Sequence, residues 1–266
     1  MAHIHPSAVV APEARIAETA IVGPFCVVGP GVELGEGAEL VSHVAVAGIT
    51  RIGARTRIFP FASIGHAPQD KKFGGEASSL EIGEDNVIRE GVTMNPGTEG
   101  GGMVTRVGSR GLFMAGVHVG HDCQVGDDVI LANNATLAGH VTLGDFAALG
   151  GLSAVHQFCR IGRHAFVGGM TGVERDVIPY GMAIGDRARL VGLNLRGLQR
   201  RGFAKEEIQH LRAAYGLLFA PEGTLAERLE DVARQFPDAV AVQEIVGFIR
   251  ADSSRAIVQP AGHGAA

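Results

Sequence analysis

Tryptophan is missing from this 266-residue chain, which holds only two tyrosines and three cysteines. Cys26, Cys123 and Cys159 form no CxxC pair, which argues against a disulfide framework and a thiolate zinc site and suits a reducing cytoplasm. A formal charge of -5 removes the general polyelectrolyte signature of a nucleic-acid binder. No run reaches the roughly 18 apolar residues of an integral membrane segment. The start "MAHIHPSAVVAPEARIAETA" lacks the basic head and continuous apolar run of a signal peptide. There is also no "GxxxxGK" phosphate loop.

What abounds is glycine, 39 residues, with many Val and Ile, a mixture suited to short β segments joined by tight turns. The aliphatic residues keep a six-residue interval. From Ile4 it runs through Val10, Ile16, Val22, Val28, Leu34, Leu40, Val46, Ile52 and Ile58 to Ile64 without a slip. It resumes at Ile82, Ile88 and Met94, shifts phase by one residue, and continues from Val107 through Phe113, Val119 and Val125 to Val173. A period of six fits neither a helical stripe nor simple strand alternation. It predicts a coil of short strands in which three hexads make one 18-residue turn of a triangular prism, each coil burying its aliphatic row against the next.

Two polar interruptions, 66–79 and 97–105, read as loops extruded from the prism, because looping out polar residues costs less than burying charge in the core. After about residue 190 the spacing turns helical: Ile208, Leu211, Tyr215, Leu218 and Phe219 share one stripe. Thr224 followed by Glu227 reads as a capping box before Leu225, Leu229, Val232 and Phe236, and a further helix is expected from near Asp238. The expected organisation is a β-helical prism over 1–189, a helical domain over 190–258 and a disordered tail over 259–266.

Histidines gather in the later coils. Gly139 falls one coil above His121 with His140 beside it, while His118 and His156 flank the group. Surface or hydrogen-bonded structural roles, a three-histidine zinc site and proton transfer all remain open on these residues. In the last case Asp122 would orient His121 as a general base, with no metal required.

The segments "IVGPFCVVGPGVELGEG", "QDKKFGGE", "HVGHDCQVGDDVILANNATLAGHVTLGDFAALGG", "SAVHQFCRIG" and "GLNLRGLQRRGF" carry a further signal. With them the chain resembles, over nearly its whole length, the UDP-N-acetylglucosamine acyltransferases that begin lipid A synthesis in Gram-negative bacteria. The resemblance implies an all-β left-handed parallel β-helix of hexapeptide repeats with a C-terminal α-helical domain. It implies transfer of a 3-hydroxyacyl group from acyl carrier protein to the 3-position of the UDP-sugar, in homotrimers whose clefts lie between prisms. No cofactor is implied beyond the phosphopantetheine of the carrier.

Carried over by motif, His121 is the general base, supported by Asp122, and the Gly139 amide faces the thioester oxygen. Gln69, Asp70, Lys72, Asn95, His118, His140, His156 and Gln157 match the substrate-binding region. Asn194, Arg200 and Arg201 match the part that grips the nucleotide and diphosphate, and Gly169 with Met170 the position that limits acyl length. Arg200, Arg201, Lys205 and Arg212 would steer the acidic carrier. The sequence departs from the family at "TMNPGT", where Asn95 and Pro96 replace a His-Arg pair. That departure raises the 3-amino analogue of the sugar, acylated to an amide, as an alternative acceptor. Another hexapeptide-repeat acyltransferase with a different donor or acceptor, or a purely structural prism, are the remaining alternatives.

Overall fold

The computed structural model describes residues 2–251 and 253–261. Its strands are two to five residues long and stack into three sheets of eleven, nine and eight strands, which form the sides of a left-handed parallel β-helix. Every hexad aliphatic from Ile4 to Val173 is the last residue of its strand. Val22, Leu40, Ile58, Ile88, Phe113, Leu131 and Val167 line one side of the core with no exposed surface. Each such side chain contributes about 1.5–3 kcal/mol of burial free energy, so the ruler is also the stabilising column.

Pairing registers show what the interruptions do. Leu34 pairs with Ile52 one coil on, but Ile52 pairs with Ile82 and Ile82 with Val107. The first excursion adds two hexads' worth of chain and keeps the phase; the second adds one hexad plus one residue, the source of the phase change. Strands restart at Ser79 and Val104, so the excursions span 65–78 and 95–103 and not 66–79 and 97–105. Pairing with Ile49 and Thr50 resumes ahead of the aliphatic position, and this sets the earlier restart.

Corners of the prism place non-glycine residues at positive φ, among them His43, Asp122, His140, Phe158 and His164. A left-handed backbone is unfavourable for such residues. At these corners the strain is offset because the amide reaches the coil below: His140 N–H donates to the His121 carbonyl at 2.9 Å and His164 N–H to Asp145 at 2.9 Å.

The closing strand Arg189–Leu193 runs antiparallel to Gly181–Ile184 and crosses the expected border at 189/190. Among the described residues four α-helices follow: α1 (Leu195–Arg200), which hydrophobic spacing does not reveal, α2 (Lys205–Leu218), α3 (Leu225–Gln235) and α4 (Val240–Arg250). The Thr224–Glu227 capping box is formed, each partner accepting from the other's amide. The N-cap of α4 is Ala239 and not Asp238. Asp176, fully buried, ties helices to prism. It pairs with Arg160 at 2.7 Å and accepts from Ser253 Oγ at 2.7 Å, while Arg160 lies over the Phe248 ring. Leu190 N–H donates to Gln259 O, so the expected tail begins with a hydrogen-bonded residue; 262–266 lie outside the described residues.

Candidate active site

Both excursions leave the prism at the corner where the nine-stranded sheet passes to the eight-stranded one, and the next coil places His121 and Asp122 at that same corner. The stack of coils then adds Gly139 and His140, followed by His156, Gln157 and Phe158. An 18-residue coil thus converts sequence spacing into a column, and the loops cover its lower end.

At the centre, His121 Nδ1 lies 2.8 Å from Asp122 Oδ2, with both residues buried. The carboxylate also accepts from the Thr98 amide at 2.9 Å and the Thr98 hydroxyl at 2.7 Å. An anionic acceptor at Nδ1 holds the proton there and leaves Nε2 as the basic nitrogen. His140 meets His121 edge to face at 4.9 Å and stacks on Phe158 at 4.4 Å. His118 faces outward from the neighbouring sheet, its Nδ1 2.7 Å from Thr93 Oγ1. Burial pushes the His118 imidazole down, assisted by the charge of His121. Burial also pushes His140 down, against the opposite pull of Asp122 and Asp70. Both shifts favour the neutral imidazole.

Gly139 is glycine for a steric reason. A methyl group there would stand 2.4 Å from His121 Cε1. Its neighbours spend their amides on the coil stack, Ala138 on Val155 O and His140 on His121 O, whereas among the described residues the Gly139 amide has no backbone acceptor. A donor beside His121 is thereby left for a ligand.

Asp70 and Lys72 stand on the first excursion close enough for their charges to act on His140, with Gln69 exposed beside them. Asn95 is buried and braces that excursion: Nδ2 donates to the His66 and Ala67 carbonyls, and among the described residues Oδ1 has no partner. His156 and Gln157 are exposed on the same corner, His156 Nδ1 lying 3.0 Å from Arg255 Nη2.

The remaining residues are elsewhere. Gly169 and Met170 occupy the corner between the eleven- and nine-stranded sheets, where Met170 is 74% exposed. Asn194 and Arg201 flank the third corner. Asn194 caps α1 and donates to the His164 carbonyl, while Arg201 lies 4.4 Å from the Phe146 ring centre. Arg200 is the exposed last residue of α1. A six-residue side at about 3.3 Å per residue separates neighbouring corners by roughly 15–20 Å, so one prism does not unite the three groups. Thr98, Thr105 and Phe158 have no counterpart among the residues expected from sequence; the run "GTEGGGMVT" marked an excursion but not its hydrogen bonds.

His121, Asp122 and His140 offer donor atoms within 4.8 Å of one another, a spacing a metal could use. The carboxylate, however, is already shared among Thr98 N, Thr98 Oγ1 and His121 Nδ1. Orienting a base is the chemistry this donor set serves best.

Residues 176–258 match the family described as Udp N-acetylglucosamine O-acyltransferase, Domain 2. The acyl-carrier-protein-dependent UDP-N-acetylglucosamine O-acyltransferase of Methylobacterium radiotolerans is 63% identical over 204 residues, 77% of this chain and 75% of the relative. That of Rhizobium etli is 49% identical over 259 residues, 97% and 95% of the two chains. The solved UDP-N-acetylglucosamine O-acyltransferase of Moraxella catarrhalis superposes with a TM-score of 0.93 at 42% identity, covering 96% of this chain and 99% of that one.

Proposed function

The chain belongs to the UDP-N-acetylglucosamine O-acyltransferases, and we propose that it transfers a 3-hydroxyacyl group from acyl carrier protein to the sugar's 3-hydroxyl with His121 as general base. The observation that carries the mechanism is the buried His121–Asp122 pair, which leaves Nε2 basic beside an uncommitted amide. Nε2 takes the hydroxyl proton as the oxygen attacks the thioester carbonyl. The Gly139 amide stabilises the developing oxyanion. On collapse the carbon–sulfur bond breaks, and the imidazolium returns the proton to the leaving thiolate. Asp70, Lys72, His118, His140, His156 and Gln157 would position the acceptor around this centre.

The nucleotide-gripping residues point to a homotrimer. Asn194 and Arg201 lie one corner away from His121, so a ligand touching both sets would lie between two prisms, as a closed ring of head-to-tail contacts provides. Arg200, Arg201, Lys205 and Arg212 cluster around α1 and α2 and would receive an acidic carrier. Among the described residues no helix is long and apolar enough to cross a membrane. Mixed refolding of His121→Ala with Arg201→Ala chains is expected to give more activity than either variant alone, because some clefts then receive both intact sets. Mixtures no more active than their parents would place the whole site in one chain.

The 3-amino acceptor is kept as a second reading by one observation, the unpartnered buried Oδ1 of Asn95 beneath the site. With matched 3-hydroxyacyl carriers, kcat/KM is expected to be higher for UDP-N-acetylglucosamine than for its 3-amino analogue. A preference for the amine would make the reaction amide formation and Asn95 its specificity determinant.

A further inference from the structure

Three donors converge on Asp122, and two of them belong to Thr98. We propose that Thr98 is a positioning residue for the reaction: the second excursion clamps the Asp122 carboxylate so that His121 is held in one tautomer and one orientation. The inference rests on the reading of His121 as the base and goes beyond it in assigning a role to the excursion.

The geometry is specific to this coil. At the equivalent corner one and two coils on, the positive-φ residue donates its amide to a carbonyl in the coil below, His140 to His121 and Phe158 to Gly139. Asp122 has no such carbonyl, because the chain below it has left the prism. Its amide goes instead to the Thr105 hydroxyl at 2.7 Å, on the strand into which the excursion returns. Its side chain goes to Thr98, near the start of the excursion. Two threonines thus hold a residue at φ 61° by backbone and side chain together.

The rest of the excursion lies against the carboxylate. A methyl group on Gly101 would fall 2.0 Å from Asp122 Cγ, so only glycine lets the backbone close there. The Asp122 side chain has no exposed surface. A buried anion keeps its charge only where donors satisfy it, and a charged acceptor draws more from each donor than a neutral one. The first excursion secures the second in turn: Glu76 Oε1 accepts from the Glu99 amide at 3.1 Å, next to Thr98. Without the Thr98 hydroxyl, the carboxylate oxygen that faces His121 would lose a fixed donor and could turn from the imidazole.

The test is a double-mutant cycle in the full-length enzyme with both substrates. Thr98→Val is expected to lower kcat about tenfold or more while the KM for the sugar nucleotide moves less than about twofold. Thr98→Ser restores most of the loss. In an Asp122→Asn background, Thr98→Val is expected to change kcat less than about twofold, because its effect passes through the carboxylate. The Nδ1–H resonance of His121 in nitrogen-15-labelled protein should weaken or shift in Thr98→Val and return in Thr98→Ser. If Thr98→Val does not fold, Gly101→Ala takes its place in the cycle, keeping both threonines but pressing a methyl group on the carboxylate. Wild-type kcat in the single variant, or an equal loss in both backgrounds, overturns the clamp. If His121→Ala loses about 10³-fold in kcat while Thr98→Val is unaffected, the clamp alone fails; undiminished turnover in His121→Ala would remove the base reading itself.

Discussion

His121→Ala is expected to lower kcat about 10³-fold, within the range a positioned general base contributes, with little change in the KM for the sugar nucleotide and the fold retained. The fold survives because His121 is at a corner and not in the aliphatic column, and because both Thr98 donors to Asp122 remain. What goes is the nitrogen that removes the hydroxyl proton. The surviving Gly139 amide and the substrate contacts account for residual turnover. His140→Ala should cost less, since His140 touches the base edge-on and its Nδ1 is 3.9 Å from Asp122 Oδ2. Steady-state kinetics of both variants, with thermal melts to confirm folding, decide the matter. Undiminished turnover in His121→Ala would reduce this corner to a binding surface.

Most of the prism was legible because its rule is one-dimensional. A residue that must point inward every six positions leaves its mark in the sequence, and each hexad aliphatic from Ile4 to Val173 does end a strand. Even the phase slip before Val107 follows from counting, since an excursion of one hexad plus one residue shifts the frame by one. The dyad of His121 and Asp122 was legible for a related reason, adjacency in the chain. Residues joined only by the excursions were not. Thr98 precedes Asp122 by 24 positions, and no period links them; their contact depends on how nine looped-out residues fold back over the corner. Asn95 likewise stands in the sequence as a departure from the family at the region matched to the acceptor, whereas its amide nitrogen holds two carbonyls of the other excursion. The division of the expected site among three corners was implicit in the hexad count. It becomes a physical constraint only when each residue is placed on a prism whose sides are too wide for one ligand group to span. α1 leaves no trace in the hydrophobic pattern because six residues are too few to show a helical period, and its cap is Asn194, a residue whose motif implies only a ligand contact.

Acid should destabilise the enzyme through a histidine outside the His121 corner. His164 is 3% exposed, with the rings of Phe146 and Tyr180 stacked on either side at 4.7 and 5.6 Å and Phe203 edge-on. Among the described residues neither ring nitrogen has a hydrogen-bond partner. Burial, reinforced by Arg163 and Arg201 and opposed by Asp145, pushes the imidazole down to about 4. Unfolding returns it to its ordinary value near 6.5, so between these limits the unfolded chain binds the additional proton. Stability is then fully present above about pH 6.5 and falls as pH falls toward 4, by about 2–3 kcal/mol at pH 4.5. His118 and His140, also depressed, contribute in the same direction, and a comparison with His164→Phe isolates His164. Phenylalanine keeps the stack and cannot take up a proton. Denaturant midpoints from pH 7 to 4.5 should converge on or cross those of the wild type as the variant loses less stability with acid. Parallel pH slopes would show that His164 finds a partner for its proton in the folded chain. The corner at stake carries Asn194 and Arg201, and Tyr180 joins it to Glu244 of α4. Protonating His164 would therefore loosen the corner that carries Asn194 and Arg201 and the helical attachment together, while leaving the His121–Asp122 pair on its own corner intact.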